Sequence, residues 1–123
     1  MDAQRVFAVR GAITVEENTT ENILNNTSEL LEKLSCENNL SDDNVISAFF
    51  TVTSDLNACY PAKAARDIGW TNTALMCANE IEVPSGLSKC IRVMIHYYAN
   101  KDHRPSPVYL KNAVKLRPDL KTS

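Results

Sequence analysis

Glycine, histidine and long apolar runs are all scarce in this chain of 123 residues. Its three glycines, Gly11, Gly69 and Gly86, stand too far apart for a GxGxxG turn or a phosphate-binding loop. Two histidines, His96 and His103, give little material for a Ser-His-Asp triad or a metal centre. The four cysteines, Cys36, Cys59, Cys77 and Cys90, have no C-x-x-C spacing. That argues against zinc and for free thiols in a reducing compartment. No metal site is therefore expected. No apolar run approaches the ~20 residues of a membrane span, and residues 1–5 lack the features of a signal peptide. The expected location is the cytoplasm, with no membrane partner. The 13 basic and 15 acidic residues, net charge −2, form no basic cluster, so nucleic acid is not an expected partner.

What is present is the material of one globular domain over residues 1–123, 44 % hydrophobic and 23 % charged, with 118–123 as a flexible tail. Residues 5–15 alternate as a strand, with Val6, Ala8, Arg10 and Ala12 on one face and Phe7, Val9 and Ile13 on the other. Gly11 within it suggests a bulge or a close backbone approach. Asn18 and Glu21 have the spacing of a capping box. The stripe of Ile23, Thr27, Leu30, Leu31 and Leu34 then predicts an amphipathic helix to about residue 37. Residues 45–53 are apolar on both faces, as in a central strand covered on both sides. Pro61 and Gly69 bracket a short helix carrying Lys63 and Arg66, a cation pair that on most helices is simply solvated. Residues 72–78 predict another strand. Residues 100–107 read as a loop, and 108–116 as a turn followed by a last strand. The sum is an α+β fold: a single mixed sheet of about five strands, with one long and one short helix on one face. The other face is left to another copy of the chain.

The segment 77–98 organises the rest. A turn at 83–86 leads into a strand over 89–98. Ile91, Val93, Ile95 and Tyr97 share one face, and Cys90, Arg92, Met94, His96 and Tyr98 the other. Arg92 in apolar company needs a partner. Glu80, in a mostly apolar segment, is either that partner within a core or a second wall of a site. Arg10 on the first strand leaves a similar choice between solvent and site. Together with Lys63, Arg66 and Arg117, these charges suggest a pocket for a dianionic small molecule, because arginine's planar fork matches a carboxylate. No nucleophile–base pair is evident, so such a site would bind and polarise.

The blocks 10–16 (RGAITVE), 60–66 (YPAKAAR), Cys77-x-x-Glu80, 89–94 (KCIRVM), 108–110 (VYL) and 116–120 (LRPDL) resemble the monofunctional chorismate mutases of the trimeric, non-helical class. The resemblance runs through nearly the whole chain in order, and leaves residues 100–107 unaccounted for. It implies a homotrimer with a barrel-like core and sites between subunits, and a cofactor-free Claisen rearrangement of chorismate to prephenate. It further implies that Arg92 meets the ether oxygen, that Arg10 and Tyr109 hold a carboxylate, and that Glu80 faces the ring hydroxyl with Cys77 as a minor contact. Tyr60, Ala62, Lys63 and Arg66 would come from the neighbouring subunit, Leu116 would close the pocket, and Arg117 would retain the dianion at its mouth. The alternatives are a non-enzymatic carboxylate-binding trimer and an enamine/imine deaminase-like enzyme.

Overall fold

Three strand-forming segments far apart in the sequence become neighbours in one sheet. The computed structural model describes residues 3–118; from Asp119 on, the expected tail lies outside them. In chain order the elements are β1 (Gln4–Thr14), α1 (Thr20–Asn38), β2 (Val45–Val52), α2 (Ala62–Asp67), β3 (Ala74–Asn79), β4 (Cys90–Asn100) and β5 (Val108–Leu110), then a 3-10 helix, Lys111–Leu116. The strand order is β3-β2-β4-β1-β5. β4 is antiparallel to both β1 and β2, whereas β3 is parallel to β2 and β5 to β1. The expected mixed α+β sheet of five strands is what forms.

The period of two in β4 divides the molecule. Ile91, Val93, Ile95 and Tyr97 are buried, together with Ile23, Leu30, Leu31 and Leu34 of α1. This helical stripe buries its apolar area against the sheet, which is what holds an isolated helix of this length in place. The opposite face of the sheet carries Val6, Phe49, Met76, Met94 and Tyr98, all exposed. Residues 45–53 are thus not covered on both sides: Ala48 and Phe50 lie under the helices, while Phe49 points away from them. Their apolar character on both faces records two different environments, only one of which a single chain supplies.

Local sequence explains the ends. The N-cap of α1 is Thr19, whose Oγ1 accepts from the Asn22 N–H at 3.1 Å, and not Asn18. Asn18 is drawn off into a longer-range tie, its Oδ1 accepting from the N–H groups of Asn57 and Ala58. Asn39 closes α1 in the left-handed region (φ 55°), which asparagine tolerates. Pro61 caps α2 and Gly69 (φ 103°) follows its end. Gly11 marks a close approach and no bulge: the β1–β4 register runs unbroken from Gln4↔Asn100 to Thr14↔Cys90.

The C-terminal segment differs from expectation. The strand comes first, as β5, and the 3-10 helix follows. Lys111 turns the chain with φ 56°, so Ala113 and Leu116 fold back over Ala12, Cys90 and Tyr109 as a second, smaller core. One corner of the otherwise open sheet face is thereby covered. The loop at 101–107 is tied down from beneath: Asn38 accepts from the Ser106 N–H at 2.8 Å and donates to the Ser106 carbonyl at 3.0 Å. The buried Tyr97 hydroxyl meets His103 Nε2 at 2.5 Å.

Candidate active site

The covered corner of the open face holds most of the charges singled out above. Ala12 on β1 pairs with Arg92 on β4 and with Tyr109 on β5. Ala12 is itself buried with Cys90, Tyr109 and Ala113, and Arg10 lies two residues along the same face. A cavity of about 70 Å³ is lined by Arg10, Arg92, Tyr109, Leu116 and Arg117. Arg92 is also part of the wall of a second, larger cavity of about 450 Å³, which Glu80 and the 81–88 turn enclose from the other side. Arg92 thus separates two hollows.

Glu80 reaches this face because it lies just past the end of β3. Its N–H donates to the Val52 carbonyl at 2.8 Å, and its Oε1 accepts from Thr51 Oγ1 at 2.6 Å. The same oxygen stands 3.4 Å from Arg92 Nε, with side chains 22 % and 46 % exposed for Glu80 and Arg92. The two charges do face each other, at the wall of a cavity and in partial contact with solvent. A pair this exposed adds little to stability, so it is better placed to act on a ligand than to hold the fold.

Arg92 is aimed from the start of its strand. Lys89 adopts φ 48°, and its N–H donates to both carboxylate oxygens of Asp55 at 3.1 and 3.0 Å. The Cys90 N–H donates to Thr53 Oγ1 at 3.0 Å. These ties hold the left-handed residue at the entry to β4. The Cys90 thiol beneath is pushed up to about 11 by burial, against the pull of Arg92, so it stays protonated at neutral pH. Sequence reading missed Asp55 and Thr53, since a lock on a left-handed residue leaves no periodic signal.

The remaining predicted residues gather elsewhere. Cys77 pairs with Phe50 across β3 and β2, and so shares Phe50's helix-side face rather than the face of Glu80 and Arg92. Glu80 lies three positions after Cys77, an odd step, and in extended chain that reverses the side. Cys77 and Tyr60 line a hollow of about 410 Å³ between β3 and the loop before α2. The Cys77 thiol is raised first by burial, against a hydrogen bond from the Ala62 backbone and the charge of Arg66. Tyr60 is 72 % exposed. Lys63 is paired with Asp67 at 3.0 Å on the surface of α2 and does not converge with Arg66 on one spot within the chain. One chain therefore brings together Arg10, Glu80, Arg92, Tyr109, Leu116 and Arg117, and separately Tyr60, Ala62, Arg66 and Cys77.

Neither histidine stands beside Cys77: His96 pairs with Ala8 and Ser47 on the open face, and His103 is engaged by Tyr97. Guanidinium groups beside a carboxylate, lining adjoining hollows, are an arrangement chemically able to hold and polarise a small anion. Comparison with known proteins makes this specific. The sequence profile of the type I chorismate mutase family matches residues 6–120. The chorismate mutase AroH of Bacillus subtilis is 43 % identical over 117 residues, 94 % of this chain and 92 % of that protein. The AroH of Thermus thermophilus is 43 % identical over 120 residues, 96 % of this chain and 98 % of that one. A solved chorismate mutase from Clostridium thermocellum superposes with a TM-score of 0.82 at 51 % identity, covering 87 % of this chain and 96 % of that one. The chain belongs to the type I chorismate mutase family. Among the described residues, no helix is long and apolar enough to cross a membrane.

Proposed function

We propose a division of labour within the site of this enzyme. As a type I chorismate mutase it isomerises chorismate to prephenate, a step of aromatic amino acid biosynthesis. The rearrangement is a unimolecular Claisen reaction in which one C–O bond breaks as a C–C bond forms, so no covalent intermediate is needed. Arg92 donates to the ether oxygen, where negative charge develops. Glu80 accepts from the ring hydroxyl and faces the positive character growing on the ring. Arg10 and Tyr109 hold the side-chain carboxylate, and Leu116 and Arg117 close and charge the mouth. Holding the compact reactive conformer supplies a further part of the acceleration.

The observation that carries this reading is the placement of Arg92 between two cavities, 3.4 Å from Glu80. Tyr60, Ala62, Lys63, Arg66 and Cys77 complete the pocket from a neighbouring copy in a homotrimer. The bare apolar face of the sheet supports that assembly. The four free thiols are in keeping with a cytoplasmic enzyme.

Replacing Arg92 with an uncharged side chain (Arg92→Gln) is expected to lower kcat by about 10²-fold or more in a folded protein, as when one transition-state donor is removed. Chorismate loss followed by absorbance measures it; an unchanged kcat would refute the role. Sedimentation is expected to give three subunits, and a fully active monomer would contradict a shared site.

A further inference from the structure

Glu80 is held more closely by a hydroxyl than by its counter-charge. Thr51 lies on β2 directly across from Arg92 on β4, on the same face of the sheet. Its Oγ1 donates to Glu80 Oε1 at 2.6 Å, while Arg92 Nε stands 3.4 Å from that same oxygen. The first distance is that of a short charge-assisted hydrogen bond. The second is well beyond the ~2.7–2.9 Å such a bond takes between a guanidinium and a carboxylate. The Glu80 N–H is also tied to the Val52 carbonyl at 2.8 Å. Consecutive residues of β2 thus fix both the backbone and the carboxylate of Glu80, although Glu80 itself lies beyond the end of β3.

We infer that Thr51 is a positioning residue for the rearrangement. This rests on the roles given above to Glu80 and Arg92. Left to themselves, a carboxylate and a guanidinium close into a two-pronged pair. That pair would occupy the fork that the ether oxygen needs in the transition state. Anchored by Thr51, Glu80 stays against β2, and Arg92 turns toward substrate without drawing the carboxylate along. The ring hydroxyl then meets an acceptor already in place, so the benefit appears in the chemical step more than in substrate capture.

Thr51→Val keeps the shape and removes the donor; Thr51→Ser keeps the donor. The Val variant, or Thr51→Ala should the Val protein not fold, is expected to lose about tenfold in kcat/KM, mainly in kcat, as for one lost hydrogen bond to a charged group. The Ser variant is expected to stay within about twofold of the parent, since the bond is retained. In a Glu80→Ala background the same Thr51 substitution should change kcat/KM by less than about twofold, because two residues acting as one unit are not additive. A donor-less variant with parental kcat, a Ser variant as impaired as Val, or an undiminished effect in the Glu80→Ala background would each overturn the inference while leaving Glu80's role standing. A Glu80→Ala enzyme with parental kcat would instead overturn that role, and this inference with it.

Discussion

Gly11→Ala gives a sharp test of how the sheet supports the site. Gly11 does not have a positive φ. In open space, replacing it with alanine would stabilise the chain by about 0.4–1 kcal/mol through the unfolded state. The space is not open. A Cβ there would lie 2.9 Å from the Val108 carbonyl oxygen, 2.9 Å from Leu34 Cδ1 and 3.2 Å from Leu30 Cδ1. Both leucines are fully buried, so their methyl groups have little room to turn. The oxygen belongs to β5, which has three residues and pairs with β1 only through them. The expected relief is an outward shift of β5 by a few tenths of an ångström. Overpacking of this kind destabilises by about 1–3 kcal/mol, or roughly 5–15 °C in Tm for a domain of this size. Because Tyr109 follows Val108, kcat/KM is expected to fall by about tenfold through misplacement of a binding group. Scanning calorimetry and initial rates measure both. A variant with an unchanged or raised Tm would refute the packing argument, since the two mechanisms have opposite signs.

Two further tests probe the frame. Asn38→Ala strips both partners from the Ser106 backbone and the longer of two contacts from the buried Tyr97 hydroxyl, which keeps His103; it is expected to destabilise by about 2–4 kcal/mol in urea unfolding and to raise proteolysis within 101–107. Burial pushes the Cys90 thiol from 9.0 up to about 11 and the Tyr97 hydroxyl from 10.0 up to about 12. Both groups hold their protons more tightly when folded, so the unfolded state gains on deprotonation once pH passes the ordinary values. Stability is therefore expected to be whole below pH 9 and to fall between about pH 9 and 12. Tyr97→Phe should flatten the upper part of that slope, as read from urea midpoints across the range.

The sheet was legible because period-two alternation in residues 90–97 and the stripe from Ile23 to Leu34 each have one dominant interpretation, and both pack as read. The C-terminal segment was not. Its order depends on Lys111 adopting a left-handed conformation, which lysine does not advertise. The cap of α1 fell one residue early in the reading because Asn18 and Thr19 are equivalent as caps locally. The tie to Asn57, 39 residues away, decides between them. Of the site, the charges were legible as misfits in apolar strands. Thr51 was not, because a β-branched residue in a strand needs no further reason, and its hydroxyl becomes informative only once Glu80 is seen beside it.

Cys77 and Glu80 show why the site's two groups of residues diverge within one chain. They are close in sequence, yet Cys77 pairs with Phe50 under the helices and Glu80 bonds to Thr51 on the open face. A sheet is a barrier that side chains do not cross, so no rotamer change unites them in one pocket. In the proposed trimer a second copy removes the difficulty. There the α2 end of one chain, with Tyr60 exposed and Arg66 nearby, would lie over the Arg92 corner of the next. The exposed apolar strip of Phe49, Met76 and Met94 would supply the contact that holds them there. The division of the site and the bareness of the sheet face then have a single cause. A substitution such as Phe49→Asp, on that strip and outside the residues given roles above, is expected to abolish activity by dispersing subunits, and sedimentation of the variant separates this from a loss of chemistry in an intact assembly.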